Sequence, residues 1–140
     1  YLKSLKIREE INDKLGIADT YNNIGSLYDK QGAFTQAEKN FEKALMLYVE
    51  IDDKRKSGMI LHNLGSIQYQ QKKYDKAMDY YEQSLEIKHS CDDKQGIAST
   101  YMSIGELFFS KDNLLEAKEF FNKGYDIFNS SGGCGGFLNN

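Results

Sequence analysis

The sequence predicts an all-α solenoid built from antiparallel helical hairpins, and three observations predict it. The first is a 40-residue period. Gly25, Gly65 and Gly105 share one phase, Ala37, Ala77 and Ala117 a second, and Asp13-Lys14, Asp53-Lys54 and Asp93-Lys94 a third. The second is self-similarity two periods apart, where residues 1–27 match residues 81–107 at 14 of 27 positions. The third is that apolar residues recur at helical spacing, with strand-like alternation nowhere. A period of this length marks a stacked array, in which each unit buries its apolar face against its neighbours.

Residues 1–15 carry Tyr1, Leu5 and Asp13-Lys14 in the phase of a second helix, so they read as the second helix of a truncated repeat. Three repeats follow at 16–54, 55–94 and 95–131, and 132–140 reads as a linker or the start of a next repeat. In the first full repeat Ile17, Tyr21, Ile24, Gly25 and Tyr28 mark one face of a first helix. Gly32-Ala33 then turns the chain, and Phe34, Ala37, Phe41, Ala44, Leu45, Tyr48 and Ile51 mark a second helix that ends at Asp52-Asp53-Lys54. The later repeats reuse this pattern. Seven helices or partial helices are expected, with second helices at 34–50, 74–90 and 114–128. Gly136-Phe137 falls in the phase of Gly16-Ile17 and Gly96-Ile97, where the next first helix would begin.

Glycine inside a helix costs about 1 kcal/mol relative to alanine. Its return at Gly25, Gly65 and Gly105 implies a close approach of two helices. Ala37, Ala77 and Ala117 are expected to meet those glycines, with Phe41, Tyr81 and Phe121 filling the space between hairpins.

Composition narrows the function. The net charge is -3, with 18 Lys and Arg intermixed with 21 Asp and Glu, which gives no nucleic-acid footprint. No apolar run approaches the roughly 18 residues needed to cross a bilayer, so no membrane partner is expected. Two cysteines, Cys91 and Cys134, suit a reducing compartment and a cytoplasmic location. His62, His89, Cys91 and Cys134 lack metal-ligand spacing. With no nucleophile–base pair and no phosphate-binding loop, the chain reads as neither an enzyme nor a cofactor binder.

The run Tyr21, Ile24-Gly25, Tyr28, Gly32, Phe34, Ala37, Phe41 and Ala44 resembles the tetratricopeptide repeat, and it returns twice in phase. The period is 40 where 34 is commoner, and the proline that often closes the second helix is absent. Such longer repeats are similar to those of kinesin light chains, of Leu-Gly-Asn-repeat G-protein signalling modulators and of bacterial signalling proteins. The resemblance implies a right-handed superhelix whose first helices line a concave groove for a protein or peptide partner.

Carried over position by position, that groove comprises Asn22, Asn23 and Ser26 in the first repeat. The second contributes Met59, His62, Asn63, Ser66 and Tyr69, and the third Met102, Ser103, Glu106 and Phe109. Asp19, Asp29, Gln70, Ser99 and Ser110 lie on the same face. Asn, Ser, Met and aromatic groups suit an extended backbone carrying a few apolar side chains. Asn23 and Asn63 precede the repeat glycines, and a carboxamide donates and accepts at once. Relatives that clamp a chaperone's terminal carboxylate use several Lys or Arg here. Only Asn63 fits that set, because Asn22, Ser99 and Ser103 replace the basic residues.

Two other readings compete with a peptide-binding module. One is a sensory or regulatory segment of a larger signalling protein. The other is a structural array that associates end to end with identical copies.

Overall fold

The computed structural model describes residues 2–130, in six helices joined by short turns. They are α1 (Leu2–Lys30), α2 (Phe34–Glu50), α3 (Lys54–Gln70), α4 (Tyr74–Ser90), α5 (Lys94–Ser110) and α6 (Leu114–Ser130). The hairpins are α1–α2, α3–α4 and α5–α6, and each stacks on the next through α2–α3 and α4–α5. The described part is an all-α solenoid.

Every turn follows one plan. At the end of α2 the Asp53 N–H donates to Tyr48 O at 2.9 Å and the Asp52 N–H to Val49 O at 3.0 Å. This closure satisfies carbonyls that a helix end otherwise leaves open, and it needs one left-handed residue. Gly32, Asp52, Lys72, Asp92 and Asp112 supply it, with φ between 53° and 75°. Asp53 and Asp93 then cap the following helices, accepting from the backbone N–H groups of Lys56 and Gly96 at 3.1 Å each.

Two expectations are corrected. No break occurs near Asp13, so residues expected to be a separate helix continue into the first hairpin, and the described helices number six rather than seven. The Asp53 and Asp93 turns return the chain between helices that pack on each other. Residues 2–11 have no described helix to fold back against, and Ser4 and residues 6–14 are exposed. Without packing to offset the lost backbone bonds, continuing the helix is the cheaper path. The expected tail element at 132–140 lies outside the described residues.

The second correction concerns the glycines. A Cβ on Gly25 would stand 2.8 Å from Phe41 Cδ1, and on Gly65 or Gly105 2.7 Å from the ring of Tyr81 or Phe121. The aromatic rings stand nearest the glycines within each hairpin, with Ala77 O next at 3.3 Å from a Cβ on Gly65, while Phe41 and Tyr81 also join the cores shared with the next hairpin, as expected. Ala37 and Ala77 are fully buried beside them, and Phe41 and Tyr81 are 1% and 2% exposed. Large-on-small packing fills the hairpin at interior density.

Candidate functional site

The first helices α1, α3 and α5 line the inner face. α3 touches α5 directly, whereas the second helices come less close. Among the side-chain hydrogen bonds that stitch neighbouring first helices, three each span 41 residues. Gln70 Nε2 donates to Asp29 Oδ1 at 3.1 Å, the Tyr69 and Ser110 hydroxyls lie 2.6 Å apart, and His62 Nε2 lies 2.9 Å from Ser103 Oγ. The expected groove residues Tyr69, His62 and Ser103 therefore share one surface, with part of their polar capacity spent between repeats.

Beneath that surface the joint between the second and third hairpins holds a buried ammonium. Lys88, 3% exposed, reaches from the end of α4. Its Nζ lies 2.7 Å from Thr100 Oγ1, 3.1 Å from His62 Nδ1 and 3.2 Å from Gly96 O, so all three donors are used. His62 Nδ1 must then accept, which puts the ring proton on Nε2 facing Ser103. Burial pushes the Lys88 amine down to about 8 despite the Asp93 carboxylate nearby. Burial, and then the Lys88 charge, push His62 down to about 4.

Sequence reasoning missed Lys88 because it sits in an apolar row, in phase with Tyr48 and Phe128. The signal was available. Gly58 and Gly96 flank it, and a Cβ on either would stand 3.0 Å from the Lys88 stem. The preceding joint uses Tyr48 instead. Its hydroxyl donates to Asp19 Oδ1 at 2.5 Å, and Lys56 Nζ reaches the same oxygen at 2.9 Å. The Tyr48 hydrogen bond, then that of Lys56, holds the Asp19 carboxyl below its ordinary range.

An open cleft of about 450 Å³ lies over Lys88, lined among others by Arg55, Lys56, Met59, His62, Asn63 and Ser99. Asp93 forms part of its wall and pairs with Arg55 at 3.6 Å. Of the expected groove residues, Met59, His62 and Asn63 meet in this cleft. Met102 lines a different one, about 490 Å³, with Ala98, Gly124 and Tyr125 between α5 and α6. Asn22, Asn23 and Ser26 line neither cleft, and the Asn22 Oδ1 is buried without a described partner. Ser66 lies beside Tyr81, at 3.4 Å from its hydroxyl, while Glu106 and Phe109 are exposed. Among the described residues no three His, Cys, Asp or Glu side chains gather as metal ligands, and no helix is long and apolar enough to cross a membrane.

The family model for tetratricopeptide repeats matches residues 17–90 and 56–130. No curated protein matches the chain. Among solved structures, BtubC (BKLC) from P. vanneervenii is 28% identical with a TM-score of 0.70, over 79% of this chain and 45% of that one. The chain thus spans under half of BtubC. The tetratricopeptide-repeat domain of Arabidopsis FLU is 20% identical with a TM-score of 0.76, over 84% and 98% of the two chains. The N-terminal domain of stress-induced protein-1 from C. elegans is 21% identical with a TM-score of 0.67, over 82% and 87%. At these identities the last two speak for the fold.

Proposed function

The chain belongs to the tetratricopeptide-repeat family, whose repeats are protein-interaction modules, and from that premise we propose that its inner face binds an extended peptide segment of a partner protein. The observation that carries this reading is the cleft over Lys88. Met59 is 38% exposed there, beside Asn63, whose carboxamide has no hydrogen-bond partner among the described residues. An apolar side chain on Met59 and a peptide unit on Asn63 would use both, with the Arg55 and Lys56 cations at the rim. Asn23 is exposed on the preceding first helix and extends the track.

The test is selection of binding peptides from a random display library, followed by titration against the parent and the Asn23→Ala/Asn63→Ala pair. Each lost hydrogen bond is worth about 0.5–1.5 kcal/mol, so affinity should fall by roughly tenfold while the melting temperature holds. Equal affinity for both proteins would move the binding surface elsewhere.

A second reading, end-to-end stacking of copies, is favoured by the apolar row on α1. Ile17, Ile24 and Leu27 are 50%, 37% and 57% exposed.

A further inference from the structure

The outer face holds a cleft where the second repeat departs from its neighbours. In the first hairpin Lys43 Nζ lies 5.4 Å from the Tyr21 ring centre. In the third, Lys123 Nζ lies 4.8 Å from the Phe120 ring centre and 5.8 Å from that of Tyr101. Both hairpins lay an ammonium of their own over an aromatic face. In the second hairpin the lysine position is Gln83, the Tyr21 and Tyr101 position is Leu61, and the Tyr28 and Phe108 position is Gln68. The built-in cation is gone.

A cleft of about 290 Å³ opens there, lined by Glu38, Gln68, Lys76, Asp79, Tyr80 and Gln83. Gln68 is 2% exposed, and its buried Oε1 has no hydrogen-bond partner among the described residues. A buried amide oxygen left in that state is costly and calls for a donor. Glu38 and Asp79 form no ion pair within 4.0 Å among the described residues, and Lys76 is the one cation lining the cleft. The Tyr80 phenol is held above its ordinary range by burial and by the Glu38 and Glu42 carboxylates, so the local field is negative. Orphan acceptors, excess carboxylate and one aromatic ring ask for a planar cation rich in donors.

We propose that this outer cleft between α2 and α4 is a docking point for an arginine side chain of a partner protein, held by Glu38, Asp79, Gln68 and the Tyr80 ring. Arginine fits better than lysine because its five donors can serve carboxylates and amide together while its plane lies on the ring. The site stands apart from the inner groove. Its residues and those of the groove can be changed separately, so the failure of one reading leaves the other standing.

The test titrates the 140-residue protein at low ionic strength with N-acetyl-arginine amide and with the neutral isostere N-acetyl-citrulline amide, following the Gln68 side-chain amide and the Tyr80 ring by NMR. Arginine amide should give saturable shifts at both groups, and citrulline amide should bind at least about fivefold more weakly. The Glu38→Gln/Asp79→Asn pair should weaken arginine amide by a similar factor. Gln83→Lys, which restores the lysine of the other hairpins, should block it. Because all three changed residues are at the surface or half-buried, melting curves should show each variant folded. Equal binding of the two amides, absence of shifts at Gln68 and Tyr80, or folded variants that bind as the parent does would each overturn the proposal.

Discussion

Lys88 Nζ stands 3.1 Å from His62 Nδ1, an ammonium donating to a neutral imidazole inside the joint of α3, α4 and α5. A second proton on His62 would set two cations against each other in a site that has already given up most of its water. The folded pKa is about 4 against an ordinary 6.5, so between those values the unfolded chain binds the proton first. Stability tied to the neutral ring is therefore present above pH 6.5 and lost as pH falls through 4, by up to about 3 kcal/mol. Urea unfolding at pH 7 and pH 4 should show the parent losing about that much more than His62→Gln. Equal losses would mean that His62 is solvated in the fold.

The hairpins and their stacking were legible because a 40-residue period repeats the small and large rows in phase. Period alone does not say which rows touch. Ala37 and Phe41 lie one turn apart on the same face of α2, and only the backbone placement puts the Phe41 ring nearest the glycine. The helix through Asp13 was illegible for another reason. A turn signal works when packing rewards the turn, and residues 6–14 are exposed, with Lys14 held to Glu50 by a surface ion pair at 3.3 Å. Lys88 was hidden because a charge in an apolar row reads as an exposed gap. Three hydrogen bonds, to His62, Gly96 and Thr100, make its burial tolerable.

Gly65→Ala should destabilise the protein although alanine is the better helix former. Propensity favours alanine by about 1 kcal/mol. Its Cβ, however, would stand 2.7 Å from the Tyr81 ring and 3.3 Å from Ala77 O, and Tyr81 is 2% exposed with little room to yield. Overpacking of this kind costs about 1–3 kcal/mol, so the net change should be a loss. Thermal melts decide it: an unchanged or raised melting temperature would show that the ring shifts freely.

Lys72→Gly should act in the opposite direction. Lys72 holds φ at 62°, a left-handed position where a side chain is strained and glycine is not. Its two-bond turn closure uses backbone groups alone, the Lys72 N–H to Tyr69 O at 2.9 Å and the Lys73 N–H to Gln68 O at 2.9 Å. The substitution keeps both bonds, and relief of strain of about 1 kcal/mol outweighs the smaller entropy gain of the unfolded chain. Asp52, Asp92 and Asp112 occupy the same conformation with a residue that tolerates it better, so glycine there should stabilise less. A melting temperature lowered by Lys72→Gly would mean that the lysine side chain contributes a contact worth more than the strain.

The row on α1 sets the last expectation. Ile24 and Leu27 are 37% and 57% exposed, while their counterparts Leu64, Ile104, Ile67 and Leu107 are at most 1% exposed. Leu64 and Ile67 are buried with Ala37, Phe41 and Ala44 of the preceding second helix, a partner that α1 lacks among the described residues. At the other end, Leu115 and Tyr125 of α6 are 76% and 53% exposed. The repeat makes α6 the counterpart of α2, so the C-terminal helix of one copy matches the surface missing from α1 of another. Such a contact is head to tail and does not close on itself, so it should yield a graded series of oligomers rather than one dimer. Sedimentation of the 140-residue chain should show mass rising with concentration. Ile24→Lys/Leu27→Lys should abolish the rise, since two ammonium groups would have to be desolvated in the contact. The same pair should leave the melting temperature at low concentration nearly unchanged, because neither side chain packs in the described core. A single mass at every concentration, or a rise that survives both lysines, would rule out stacking through this face.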